Sequence, residues 1–242
     1  MNAGLLLATT ARVGRQLLAD KRTIAIVVVL PCVILGLIAW MFDGTPVLDQ
    51  FGPVLVGIFP LIVMFLVTSV ATLRERSSGT LERLMTTPLG RGDFVVGYAL
   101  AFGALAILQA AVVVGFTLLV GMDVKGSIGL LILVAVLNAL LGCCLGLAGS
   151  SLARTEFQAV QLMPVFIFPQ LIVCGLLMPR DQMPQVLEWI SRVLPLTYAV
   201  EAMQDIAQGL PWSDIAGAVV VMLLWLAIAM IGGAVTLRRR TP

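Results

Sequence analysis

Residues 74–91 read RERSSGTLERLMTTPLGR, a polar island between two long apolar stretches. The pattern predicts a short helix from Gly79 to Thr87, because small polar residues precede it as candidate N-caps and a proline follows it. On that helix Leu81, Leu84 and Met85 lie three and four residues apart and form one apolar stripe. So short a helix cannot bury its own stripe. The sequence therefore predicts that this segment docks on a partner surface.

The composition on either side of the island is that of a membrane protein. The chain has 242 residues, of which 60% are hydrophobic and 12% charged, and its mean hydropathy is +1.07. A soluble domain carries about 25% charged residues. The prediction is one all-α transmembrane domain over residues 1–242, which begins with an amphipathic interface helix within residues 1–22. Its six spans are expected at approximately 24–42, 52–73, 94–121, 128–152, 159–178 and 215–237.

Lysine and arginine positions predict the orientation. Twelve of them fall in the N-terminal segment, the 74–93 loop, the loop at Arg154 or the C-terminal tail, and the other three fall in the remaining loops. The side richer in these residues faces the cytoplasm. We therefore expect both termini and the 74–91 segment to be cytoplasmic.

The longest segment on the other side, residues 179–214, contains several prolines. It predicts a helix over Gln185–Leu194, broken by Pro195, and a second helix capped by Thr197 and closed at Gly209. Both are too short to span. We expect them to form an extracellular, re-entrant lid over the bundle.

Several kinds of chemistry are missing from the sequence. It has no histidine and no phosphate-binding loop motif, and the four cysteines lie in apolar runs, so it predicts neither an enzyme nor a metal site. The small net charge argues against a nucleic-acid partner. The span centres hold no ionisable residue, which argues against an ion-coupled transporter. Their larger polar residues are expected to make interhelical hydrogen bonds, with substrate contact as the alternative: Gln109, Asn138, Gln161 and Gln170.

Two runs carry a family likeness. RERSSGTLERLMTTPLGRGDFVVGYAL (74–100) resembles the second-span exit, coupling helix and third-span entry of ABC-2 type permeases, the membrane subunits of ATP-binding cassette exporters. CGLLMPRDQMPQVLEWISRVLPLTYAVEAM (174–203) resembles the proline-rich exit of the fifth span and the extracellular helices of the same family. The likeness covers essentially the whole chain and is greatest to the daunorubicin-exporter branch of bacterial permeases.

The resemblance implies a multi-pass protein of the bacterial plasma membrane that exports hydrophobic or amphipathic drugs or lipids. It implies two copies of a separate ATPase subunit carrying MgATP, a second permease that is identical or a sister chain, and no cofactor in this chain. The residues implied in ATPase coupling are Glu75, Gly79, Thr80, Leu81, Glu82, Leu84 and Met85. Those implied along a substrate path are Phe59, Phe65, Gln161, Phe166 and Phe168, and those implied in the gating segment are Pro179, Pro184, Trp189 and Pro195.

Alternatives remain at this point. The aromatic residues on the second and fifth spans can equally be packing residues. Glu82 can form a local ion pair with a neighbouring arginine instead of contacting an ATPase. The amphipathic segment is also compatible with a non-transporting membrane adaptor that recruits a soluble partner, although such a protein has no evident use for the outer helices.

Overall fold

The protein is a bundle of α-helices in a computed structural model that describes residues 3–79 and 90–236. Within those residues there are nine α-helices and no strand. The helices are α1 Ala3–Ala19, α2 Lys21–Met41, α3 Val47–Ser77, α4 Arg91–Leu119, α5 Ile128–Gly149, α6 Glu156–Val173, α7 Gln185–Val193, α8 Pro195–Gln208 and α9 Trp212–Thr236.

Six of these helices, α2 to α6 and α9, are long and apolar enough to cross a membrane. Their number agrees with the six predicted spans, and each of them overlaps one predicted span. The largest difference is in α3, whose 31 residues correspond to about 46 Å along the helix axis. The hydrocarbon core of a bilayer is about 30 Å thick, so at least one end of α3 extends beyond it.

The backbones of α3 and α5 approach closely at the centre of the bundle. A Cβ atom built on Gly142 would lie 2.3 Å from the carbonyl oxygen of Leu61, and one on Gly146 would lie 2.5 Å from that of Phe65. The side-chain amide of Asn138, one turn before Gly142, donates to the carbonyl oxygen of Gly57 at 2.7 Å. Small residues permit this approach, and the amide hydrogen bond fixes the register of the two helices.

The helix after Pro195 differs from the prediction. α8 begins at Pro195 itself, and Thr197 lies inside the helix with a fully buried side chain instead of capping it. The reason is that proline suits the first helical position, where its missing amide hydrogen would have no intrahelical partner. The predicted end is confirmed, since Gly209 follows α8 with a left-handed φ of 80°.

α8 is also part of the core and not a cover over it. Leu196, Ala199, Val200 and Met203 are fully buried and join one apolar cluster with side chains of α3, α5 and α9. Lys125, in the loop before α5, donates its backbone amide to the carbonyl oxygen of Ala207 at 3.0 Å. α8 thus lies at the end of the bundle where α4 finishes and α5 begins.

The opposite end of the bundle contains basic residues on which the orientation prediction depends. Arg74, near the end of α3, forms two hydrogen bonds with Glu156, at the start of α6, at 2.7 and 3.0 Å. Arg12 on α1 contacts Glu75 on α3. The N-terminal helix, the end of α3 and the start of α6 therefore lie on one side.

Candidate coupling joint and transport cleft

Three helices meet at a buried polar contact near the C-terminal end of α3. Glu75 on α3 has 8% of its surface exposed, and its two carboxylate oxygens have different partners. Arg12 on α1 binds Oε1 at 2.5 Å, and the hydroxyl of Tyr98 on α4 donates to Oε2. We call Arg12, Glu75 and Tyr98 the joint.

The joint is electrically balanced and fixed by packing. Burial lowers the pKa of Arg12, but the hydrogen bond and the negative charge of Glu75 outweigh it, so that the pKa of this guanidinium is raised above its usual value. The ring of Tyr98 stacks between Phe94 and Phe102, with centroids 4.4 and 5.9 Å away. α1, α3 and α4 are therefore connected where α3 approaches its end.

The sequence-predicted coupling residues divide into two groups. Glu75 and Gly79 are described: Glu75 is bound inside the protein, and Gly79 has a φ of 70°, which favours glycine as the chain leaves α3. The other five lie outside the described residues, as does the helix predicted from Gly79 to Thr87 beyond its first residue: Thr80, Leu81, Glu82, Leu84 and Met85. Their role in coupling stays a prediction.

The predicted substrate-path residues do not form one surface in this structure. Phe65 is fully buried and packs against Phe166, with ring centroids 5.9 Å apart, and Phe59 is half-buried. Gln161 and Phe168 are exposed on α6. The structure thus brings Phe65 and Phe166 together and leaves the others apart.

Two of the predicted gating residues, Pro179 and Pro184, lie in a segment between α6 and α7 that starts at Gly175, whose φ is 96°, whereas Trp189 lies on α7. Pro179, Pro184 and Trp189 are exposed, whereas Pro195 is buried at the start of α8. Arg180 ties this segment to α8 through an ion pair with Glu201 at 2.8 Å. Four apolar side chains of α7 at helical spacing remain exposed: Val186, Trp189, Ile190 and Val193.

A cleft of about 540 Å³ opens next to the joint. One wall is the α1–α2 corner, the other is the second half of α3, and Tyr98 and Phe102 of α4 close its floor. Its polar lining comes from the α1–α2 corner, the end of α3 and α4: Gln16, Asp20, Thr23, Arg74, Glu75 and Tyr98. The pKa of Asp20 is lowered by hydrogen bonds from the hydroxyl and the amide of Thr23 and, more weakly, by the charge of Arg74.

A family model described as ABC-2 type transporter matches residues 5–208, which run from the first turn of α1 to the end of α8. The chain belongs to the ABC-2 type transporter family. The likeness to ABC-2 type permeases seen in the sequence is thereby confirmed.

Curated relatives of this ABC-2 chain include eukaryotic and bacterial proteins. ABC transporter G family member 20 of Dictyostelium discoideum is 32% identical over 187 residues, which are 74% of this chain and 25% of the relative. The probable multidrug ABC transporter permease YbhR of Escherichia coli (strain K12) is 30% identical over 170 residues, 66% of this chain and 46% of the relative. The inner membrane transport permease YhhJ of the same organism is 28% identical over 191 residues, which are 76% of this chain and 49% of the relative. The ABC-2 chain thus spans a quarter to about half of these relatives.

Two of the polar residues within the spans of the ABC-2 chain make the expected interhelical contacts. Asn138 binds the α3 backbone, and the side-chain oxygen of Gln170 accepts from the amide of Leu196 at 3.4 Å, near the start of α8. Gln161 is exposed, and the amide of Gln109 is buried with no hydrogen-bond partner in the described part of the chain. The four cysteines are free; three are buried and Cys32 is half-buried.

Sequence inspection missed two features of the ABC-2 chain. The first is the close approach at Gly142 and Gly146, which a G-x-x-x-G spacing in an apolar run could have signalled. The second is the joint: Arg12 and Tyr98 were not candidates, because nothing local distinguishes them from an ordinary interface arginine and a span tyrosine. Among the described residues no group of three or more acidic or cysteine side chains is placed to hold a metal ion.

Proposed function

We propose that this ABC-2 chain is the permease of an ATP-driven exporter that moves hydrophobic or amphipathic compounds out of the cell. The observation that carries the proposal is the position of the joint, one turn before the 80–89 segment, in a chain that matches the ABC-2 family over residues 5–208. A displacement of that segment would act on α1, α3 and α4 together.

The energy would come from two copies of a separate ATPase carrying MgATP. The apolar stripe of Leu81, Leu84 and Met85 would dock on that subunit, and closure of the ATPase pair would push on the end of α3. Because α3 packs against α5 and α8 in the centre of the bundle, a tilt of α3 would move the core of the permease.

The orientation follows from the positive-inside rule. The joint and the Arg74–Glu156 pair bring the basic segments to one end of the bundle, which supports a cytoplasmic location for the termini and the 74–91 segment. The α7–α8 segment would then face outward. The exposed apolar face of α7 is the pattern of a helix that lies against the bilayer, and we propose that this segment re-enters the outer leaflet.

The substrate class is supported by the apolar character of the bundle and by one relative named as a probable multidrug permease. Drugs and lipids with large apolar parts suit such a path better than anionic polymers. The second permease in the complex would be another copy of this chain or a sister chain in a bacterial plasma membrane.

The decisive experiment is a mild-detergent pull-down of tagged protein from membranes, with mass spectrometry of the co-purified chains. The test variant is Leu84→Asp, and the matched control is Leu152→Asp, since Leu152 is 65% exposed and follows α5 on the same side of the bundle. We expect an ABC ATPase with the parent and the control but not with Leu84→Asp. Thermal unfolding of all three proteins excludes misfolding as the cause.

Failure to recover an ATPase with the parent protein would favour the membrane-adaptor alternative. Recovery of the ATPase with Leu84→Asp would contradict the docking of the predicted Gly79–Thr87 helix while leaving the complex intact. Substrate-stimulated ATP hydrolysis by the purified complex in liposomes then separates a working exporter from an adaptor.

A further inference from the structure

The cleft beside the joint contains none of the residues predicted for the substrate path. It is lined mainly by aliphatic side chains of α2 and α3, and its volume of about 540 Å³ lies within the range of small-molecule sites. The apolar lining that matters here is Ile26, Val27 and Leu30 on α2, with Val63, Leu66 and Val67 on α3.

The shape of the cleft suits a single extended hydrocarbon chain. From Asp20 to Leu30 the wall formed by α2 runs about 15 Å. That is roughly the length of a dodecyl chain. Ile26 and Leu30 are 62% and 48% exposed, so the cleft is open along the surface of a predicted membrane span. A ligand can therefore enter from the bilayer.

The charged residues at the polar end of the cleft indicate which kind of ligand head group fits there. Glu75 is bound by Arg12 and Tyr98, and Arg74 is held by both carboxylate oxygens of Glu156. Asp20 receives hydrogen bonds from neutral donors, the amide and hydroxyl of Thr23. The charge of Arg74 acts on it more weakly, and Asp20 forms no ion pair within the described part of the chain. Lys21 and Arg22 follow it in the sequence, but both are exposed and neither lines the cleft.

We propose that this cleft binds a single-chain amphiphile with a cationic head, such as an alkyl quaternary ammonium compound. The head lies at Asp20, and the hydrocarbon chain runs between α2 and α3 towards Leu30 and Val63. This inference rests on the proposed export function, for which it names the substrate class and the site where the substrate first binds.

A binding measurement tests the proposal without any ATPase. Tagged protein in lipid nanodiscs is titrated with tritiated dodecyltrimethylammonium below its micellar concentration, and saturable binding is measured by scintillation proximity against empty nanodiscs. Dodecylphosphocholine and dodecyl maltoside serve as zwitterionic and uncharged competitors with the same chain.

Two variants examine the two halves of the site. Asp20→Asn keeps the shape of the side chain and its helix-capping oxygen but removes its charge. We expect the affinity for dodecyltrimethylammonium to fall roughly three- to fivefold, which is the upper range for an exposed ion pair. Val67→Phe fills the cleft, and saturable binding should be lost. Its matched control is Val220→Phe on α9, where the parent side chain is 55% exposed and does not line the cleft.

The proposal is overturned if either competitor displaces the probe as well as unlabelled dodecyltrimethylammonium does, or if Asp20→Asn binds like the parent. It is also overturned if Val67→Phe leaves binding intact, or if it changes the protomer number of the purified protein, since the cleft would then be a contact between chains. Because binding is read without the ATPase, a negative result here is distinct from a failure of the Leu84→Asp pull-down.

Discussion

Arg12 and Glu75 are 63 positions apart in the chain, and their side chains meet at 2.5 Å where α1 crosses the end of α3. The contact joins a helix that precedes the membrane spans to the last turns of the most deeply packed span. It places a charge pair, with Glu75 almost entirely buried, close to the C-terminal end of α3.

The first prediction concerns the stability of the joint. Glu75→Ala leaves the guanidinium of Arg12 without its partner, and we expect a loss near the lower end of the range of about 3–5 kcal/mol, because Arg12 retains 25% exposure. Arg74→Met breaks an exposed pair and should cost less than about 1 kcal/mol. Thermal unfolding in detergent compares the two. Equal effects would contradict the structural role of the joint.

The second prediction tests whether Glu75 acts inside the permease or contacts the ATPase directly. Since both oxygens of Glu75 are engaged inside the permease, Glu75→Gln should still capture the ATPase in the pull-down. It should nevertheless reduce substrate-stimulated ATP hydrolysis, because the tie between α1 and α3 is weakened. If Glu75→Gln abolishes capture, this residue contacts the ATPase directly.

The third prediction concerns the approach of α3 and α5. Gly142→Ala places a methyl group 2.3 Å from the carbonyl oxygen of Leu61, so that the helices must separate, at a cost of about 1–3 kcal/mol. Gly115→Ala makes the same change on α4, where a Cβ would have no neighbour within 4 Å. The unfolding temperature should fall for the first variant only. A fall for both would indicate a general intolerance of the bundle to the added methyl.

The fourth prediction is a pH dependence at Asp205 on α8. Burial, followed by the negative charges of Glu201 and Asp214, raises the pKa of this carboxyl above its usual value. Because the pKa is higher in the folded protein, protonation of Asp205 stabilises the fold. This stabilisation is complete below the unfolded pKa of about 4 and is lost as pH rises through the folded pKa. At neutral pH ionised Asp205 therefore destabilises the fold.

Asp205→Asn should accordingly unfold at a higher temperature than the parent at neutral pH, and the difference should shrink as pH is lowered to about 4. Asp43→Asn is the control, because Asp43 is exposed in the turn after α2. Thermal unfolding over this pH range measures both. A difference that grows on acidification would show that the pKa of Asp205 is lowered and not raised.

Much of the architecture is local enough to be predicted. Six apolar stretches of the right length, the polar island at 74–91 and the left-handed end of α8 at Gly209 follow from residues close together in the chain. The start of α8 was predicted wrongly because Pro195 can end one helix or begin the next, and the packing of the following apolar residues decides which.

Hydropathy is a property of about 20 consecutive residues, so the sequence by itself determined the membrane spans and, through its two motifs, the family. Only the tertiary structure decided that Glu75 meets Arg12 and Tyr98, that Gly142 lies against Leu61, and that a cleft opens beside Asp20. These contacts join residues that are far apart in the chain. Which faces of two helices meet depends on how the whole bundle packs, and no local pattern carries that information.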